Sequence, residues 1–295
     1  MIVVTAPTGN IGHHLVRDLL NRGEAVRVIV RDPAKLDDIV RDQVKVIKGS
    51  HGDADVIDRA LEGADALFWL APPVTIGTME QAYSGFAHPA ADAIRRHATG
   101  HVVAVTALGR GTQWQDRAGL VSASIRMVDT LNGTGAAVRG LAMPSFMENA
   151  LMQLDAIRQG AMFGTLDQGR KVPHTATRDM AAAAARLLID RSWTGQEDVA
   201  VLGPEDLSFD EVAWIVSDVT GREVRYQQVT MEDLKAQLLA GGMPEDFAQG
   251  YVDMFRAKDQ GMDNAAVRTP ANTGSTSFRR WAEEVLQPAL NGKGA

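Results

Sequence analysis

The chain of 295 residues is 45% apolar and carries 30 basic against 37 acidic side chains, a net charge of -7. That length and apolar fraction support a sizeable core and exclude a disordered chain, while the acidic balance offers nucleic acid or anionic lipid no general positive field. The absence of cysteine removes disulfides, thiol nucleophiles and thiolate metal sites, and fits a reducing, cytoplasmic compartment.

Ile2-Val3-Val4 runs into Gly9 and Gly12 too soon for a secretory or membrane-spanning segment, so no targeting signal is read. The seven histidines form no HExxH pattern, and the neighbours His13 and His14 point different ways on a helix; no metal is expected. Strands are predicted at 2–5, 25–30, 44–48, 66–70, 102–106 and 136–139, alternating with helical patterns. The first helix has the apolar stripe Leu15, Val16, Leu19 and Leu20 and stops at Asn21-Arg22-Gly23. Another closes before Gly135. Five crossovers by residue 140 predict a doubly wound parallel α/β sheet of Rossmann type. Beyond Pro144 helices and long loops take over, with isolated strands near 199–202 and 223–227 and a final amphipathic helix over 278–286. The domain reading is therefore a dinucleotide-binding domain over 1–150. Residues 151–295 form mainly a smaller substrate lobe, with some elements returning to the first core.

The first strand is followed by Thr5-Ala6-Pro7-Thr8-Gly9-Asn10-Ile11-Gly12 and then a helix. Small residues spaced three and three let backbone N–H groups approach a pyrophosphate at a helix N-terminus, which predicts NAD(P)(H) binding. Gly9 and Gly12 are both expected to lack room for a Cβ beside the pyrophosphate and the adjoining strand. Ala6 stands at the usual first glycine, a position that tolerates only a modest change in backbone freedom. About twenty residues further on, the second strand ends in Arg31-Asp32. A guanidinium there can stack on adenine and pair with a 2'-phosphate, favouring NADP, while Asp32 leaves NAD open. Gly52-Asp53 follows the third strand. Asp53 is placed to meet the adenine edge, or to cap the next helix.

These pieces, with Leu70-Ala71-Pro72-Pro73, Phe146-Met147-Glu148-Asn149, Arg178-Asp179-Met180-Ala181, Gly203-Pro204-Glu205 and Ser277-Phe278-x-x-Trp281-Ala282, occur in an order that resembles the NmrA-like family of atypical short-chain dehydrogenases over nearly the whole chain. The resemblance implies that Leu70, Ala71 and Pro72 run under the ribose and nicotinamide. It also implies that Thr106, Ala107 and Leu108 flank the cofactor and that Pro144, Ser145 and Phe146 border the nicotinamide. The family divides into NAD(P)H-dependent reductases, quinone and azo reductases among them, and redox sensors that bind cofactor without turnover.

Typical short-chain dehydrogenases use Tyr-x-x-x-Lys as a proton donor. Here Tyr83, Tyr226 and Tyr251 are followed four residues on by Ala87, Thr230 and Phe255, and the corresponding stretch holds Leu120 and Ser124. An isolated ketone needs a proton as the alkoxide forms, whereas a quinone takes hydride to give a delocalised, weakly basic phenolate. The predicted activity is hydride transfer to a quinone or related conjugated aromatic substrate, without flavin or metal. Ser124, Ser145 and His174 are candidate proton donors, His174 read as lying in a loop, more often a surface position. Met143, Met147, Met152 and Met162 could line an apolar pocket, but core packing is the simpler reading. The resemblance further implies a role in aromatic polyketide tailoring, where anthraquinone reduction precedes oxygenation by a separate small protein. The alternatives are a redox sensor regulating a protein partner and, ranked last, a sugar-nucleotide epimerase or dehydratase, which would keep Tyr-x-x-x-Lys.

Overall fold

The computed structural model describes residues 1–71 and 77–292, so Pro72 lies outside the described residues. In chain order the elements are β1 (Ile2–Val4), α1 (Gly12–Asn21), β2 (Val26–Val30), α2 (Asp38–Arg41), β3 (Lys45–Lys48), α3 (Ala54–Leu61), β4 (Ala66–Trp69), α4 (Phe86–His97), β5 (His101–Ala107), α5 (Leu120–Asn132) and β6 (Ala137–Met143). They continue with β7 (Ser145–Phe146), α6 (Leu154–Arg158), β8 (Ala161–Gly164), β9 (Val172–Thr175), α7 (Thr177–Ile189), β10 (Gln196–Ala200), β11 (Asp206–Leu207), α8 (Phe209–Thr220), β12 (Arg225–Gln228), α9 (Met231–Ala240), α10 (Glu245–Asp259), α11 (Phe278–Trp281) and α12 (Gln287–Leu290). Two compact units result. The first comprises Met1–Ala107, Ala123–Ala142 and Met180–Val199, and the second Leu108–Ser122, Met143–Asp179 and Ala200–Ala295.

The first unit carries a seven-stranded sheet in the order β10-β6-β5-β4-β1-β2-β3. β1 runs parallel to β2 on one side and to β4 on the other, with Val3 opposite Arg27 and Leu67. The β2–β3 and β4–β5 pairs are parallel too. Because both faces of such a sheet are covered, its central strands read as unbroken apolar runs: every residue of β1 and β4 is buried. α1 buries Leu15, Val16 and Leu19, and the core gathers Val3, Ile29, Leu61, Leu67, Trp69, Ile94 and Val102. The chain leaves β1 for one side of the sheet and returns through β4 on the other. The loop after β1 therefore opens at the switch point, where doubly wound sheets leave a crevice at the carboxyl ends of their strands.

The second unit has a three-stranded sheet, β11-β9-β7, and a two-stranded one, β12-β8. Its core includes Met147, Ile157, Met162, Val216, Phe278 and Trp281. Met143, Met147 and Met162 are buried while Met152 is 80% exposed, so the four do not share one apolar lining. Glu148 ties three segments together: its carboxylate accepts the Thr177 N–H, the Thr177 hydroxyl at 2.8 Å and the Trp281 indole N–H at 3.1 Å. Asp179 accepts the Thr276 N–H and hydroxyl in the same way. No helix among the described residues is long and apolar enough to cross a membrane.

Candidate functional site: the carboxyl edge of the parallel sheet

Thr5 directly follows β1 with its side chain fully buried, the hydroxyl donating to the Phe68 carbonyl at 3.1 Å and accepting the Leu70 N–H at 2.9 Å. It thereby locks the ends of β1 and β4 together, and its hydroxyl is committed inside the fold. The chain then turns sharply. Ala6 adopts φ 49°, a left-handed conformation that costs an L-residue about 1–2 kcal/mol. The Ala6 carbonyl accepts the Gly9 N–H at 3.1 Å, and the loop exposes Thr8 and Asn10 while burying Pro7, Ile11 and Gly12.

A Cβ on Gly12 would lie 2.1 Å from the Ala6 oxygen and 2.9 Å from Pro7 Cα, so only glycine lets α1 start against this turn. At Gly9 a Cβ would meet no protein atom closer than the Ala6 oxygen at 3.4 Å, an ordinary contact, so any crowding there would come from the pyrophosphate. The protein itself leaves Gly9 room. α1 has no side-chain cap and no acidic residue in its first turn, which leaves the positive end of its dipole for an anion.

At the end of β2, Arg31 is exposed and enters no ion pair among the described residues. Asp32 is already engaged: its carboxylate accepts the Ala34 N–H at 3.1 Å, capping the short turn Pro33–Lys35. Asp53 occupies the N-cap position of α3 by its backbone, yet its side chain makes no cap bond, so the exposed carboxylate is free of that duty.

One residue here has no counterpart among the sequence expectations. His51 is buried, 8% exposed, and its Nε2–H donates to the Leu70 carbonyl at 3.0 Å. The ring sits edge-on to Trp69 at 5.1 Å and to Phe86 at 5.0 Å. Burial lowers its pKa to about 4, against the pull of the Leu70 bond, and the Arg31 charge adds to the lowering. Next to it, a Cβ on Gly52 would come within 2.4 Å of the Phe86 ring. In the sequence His51 precedes a recognisable Gly-Asp pair but carries no signal of its own reach to β4.

Further along the edge, Thr106 at the end of β5 and Ser124 of α5 are both buried, with their hydroxyl oxygens 3.0 Å apart. Ala107 is half-buried. In the second unit the Leu108 N–H reaches the Met143 carbonyl at 3.1 Å, and Pro144 is buried. Ser145 and Phe146, half-buried on β7, pair in parallel register with His174 and Thr175.

His174 therefore departs from the surface loop expected of it. Three-quarters of its strand, Val172, Pro173 and Thr175, is buried with it, and its ring packs against Phe209 and Phe278. Burial lowers its pKa to about 4, outweighing a hydrogen bond to the Leu207 backbone that favours the charged form. Its Nε2 is buried with no partner among the described residues. Two of the three tyrosines, Tyr226 and Tyr251, are likewise tuned away from proton donation. Burial pushes Tyr226 far up, and its hydroxyl already donates to Leu166 O at 2.8 Å; burial also raises Tyr251.

A parallel sheet with a switch point at β1/β4, a glycine-dependent turn into an uncapped helix and an unpaired arginine one strand over defines a Rossmann-type dinucleotide-binding protein. Comparison with known proteins places it more narrowly. Residues 7–137 match the NAD(P)H-binding family model and residues 135–273 the NmrA-like family model. An NAD(P)H azoreductase of Xenophilus azovorans is 30% identical over 86% of each chain. A (4-alkanoyl-5-oxo-2,5-dihydrofuran-3-yl)methyl phosphate reductase of Streptomyces griseus is 27% identical, covering 96% of this chain and 97% of that one. Quinone oxidoreductase 2 of Escherichia coli is 25% identical over 92% of each. Among solved structures, the triphenylmethane reductase of Citrobacter sp. complexed with NADP(H) superposes with a TM-score of 0.80 at 20% identity, covering 96% and 99% of the two chains. The chain belongs to the NmrA-like family, and within it to the NAD(P)H-dependent oxidoreductases.

Proposed function

We propose that this chain reduces a quinone or a related conjugated aromatic acceptor at the expense of NADPH. The observation that carries the reading is the proton inventory. Tyr-x-x-x-Lys is missing from the sequence, His174 is held neutral with a pKa of about 4, and Tyr226 is raised with its hydroxyl committed to Leu166. A site without a tuned acid suits an acceptor that delocalises incoming negative charge better than one that forms a basic alkoxide.

NAD(P)H, when bound, supplies the hydride. In this reading the backbone of residues 6–12 and the start of α1 hold the pyrophosphate. Arg31, with no ion-pair partner among the described residues, takes the 2'-phosphate and sets a preference for NADP(H) over NAD(H). Asp53 meets the adenosine. Leu70, Ala71, Thr106, Ala107 and Leu108 follow the ribose and nicotinamide, and Pro144, Ser145 and Phe146 border the nicotinamide.

The relatives support the acceptor class: azo compounds, an acylated dihydrofuranone and quinones, as their names give them, all contain unsaturation that spreads added charge. The Streptomyces relative also lends some support to a place in biosynthetic tailoring. The reading is tested by NAD(P)H oxidation across naphthoquinones, anthraquinones and simple ketones, with and without oxygen. Quinones should be reduced and simple ketones should not. Cofactor binding with no oxidation by any acceptor would instead favour a redox sensor.

A further inference from the structure

β3 lies at the sheet edge and β4 three ladder positions away, with β2 and β1 between them. At the usual strand spacing that separation is about 14 Å. The loop after β3 nonetheless ends against β4. Gly49 N–H is held by the Val30 carbonyl at the end of β2, at 3.0 Å, and two residues later His51 donates to the Leu70 carbonyl at the end of β4. The segment 49–53 therefore runs across the carboxyl ends of β2 and β1, over the edge from which Arg31 and the Thr5–Gly12 turn emerge.

Packing fixes this crossing. Gly49 takes φ 146°, and a Cβ there would meet Val56 Cγ2 at 2.5 Å. Gly52 lies against the Phe86 ring, and the His51 ring is edge-on to Trp69 and Phe86. Beyond it, the Asp53 N–H is held by the Ser50 carbonyl at 3.0 Å, and the Asp53 side chain points to solvent without capping α3.

We propose that His51 is a positioning residue for the adenosine half of the cofactor, strapping the loop after β3 across the sheet edge so that Gly52 and Asp53 close the adenine end of the site. The proposal rests on the reading of residues 6–12 as the pyrophosphate loop. A hydrophobic residue of similar size would fill the space between Trp69 and Phe86 but release the Leu70 carbonyl, whereas glutamine retains a donor.

The test uses the full chain and the nicotinamide-free probe 2'-phospho-ADP-ribose, titrated by calorimetry, beside reduced nicotinamide mononucleotide as a probe of the other half. His51→Leu should weaken 2'-phospho-ADP-ribose by roughly tenfold or more, the effect of one lost hydrogen bond in a preorganised site. It should weaken the mononucleotide, which also runs past Leu70, by clearly less, and His51→Gln should recover part of the loss. Leu61→Ala, in the same core but away from the edge, serves as the stability control. Unchanged 2'-phospho-ADP-ribose binding in folded His51→Leu, or an equal loss in Leu61→Ala, would overturn the proposal. Failure of the unmutated chain to bind the probe would instead remove the pyrophosphate-loop reading beneath it.

Discussion

The place a Cβ on Gly12 would occupy lies 2.1 Å from the carbonyl oxygen of Ala6. That contact separates the two glycines of the loop. Gly12→Val must push the start of α1 away from the turn and should abolish dinucleotide binding together with some stability. Gly9→Ala should fold normally, since its Cβ meets only an ordinary contact. If calorimetry finds dinucleotide affinity intact in Gly12→Val, the pyrophosphate sits elsewhere.

Ala6 bears the strain of the same turn. At φ 49° it should be improved by glycine, so Ala6→Gly is expected to stabilise the protein by roughly 0.5–1 kcal/mol in urea unfolding, despite the freer unfolded chain. A loss of stability on that substitution would mean the side chain makes a contact worth more than its backbone strain.

Arg31 should separate the two cofactors. Arg31→Ala is expected to weaken NADPH by roughly 1.5–3 kcal/mol and NADH hardly at all, because only NADPH offers a phosphate to the guanidinium. Equal losses in parallel titrations would refute the assignment.

Acid should destabilise the fold through two histidines. Both are neutral when folded, with pKa values of about 4 against 6.5 unfolded. The unfolded chain therefore binds more protons between those values. Their stabilisation is complete above pH 6.5 and is lost as pH falls toward 4, each contributing a slope of about 1.4 kcal/mol per pH unit. Unfolding free energy measured against pH should flatten in that window when His174 is replaced by Phe, and an unchanged slope would show that burial does not hold it neutral.

The sequence made the first unit legible because parallel strands covered on both faces announce themselves as apolar runs. All six expected strands appear within a few residues of their predicted ends, along with the turn at Ala6 and the stop near Gly23. The seventh strand was less visible. The strand expected over 199–202 catches only its last two residues, because Gln196-Glu197-Asp198 is polar where β10 lies at an edge and neither apolar run nor alternation marks that segment. His174 departs from its local signal for a related reason: Lys171-Val172-Pro173-His174 looks like a loop, and only packing against Phe209 and Phe278 makes it interior. Family motifs such as Phe146-Met147-Glu148-Asn149 were readable as a pattern, but the Glu148 bonds to Thr177 and Trp281 span 29 and 133 residues and leave no local trace.

The central claim, hydride delivery to a quinone without a tyrosine acid, is tested most directly by the primary isotope effect on quinone-dependent oxidation of C4-deuterated NADPH under anaerobic, metal-free conditions. It should be measured in the unmutated chain and in Tyr83→Phe, Tyr226→Phe and Tyr251→Phe. A primary effect is expected in all four. The hydride-transfer rate of each variant should stay within about tenfold of the parent, against the roughly 10²–10⁴ that loss of a general acid would cost. Tight NADPH binding with no oxidation by any quinone, or collapse of the rate in one tyrosine variant that remains folded, would contradict the account.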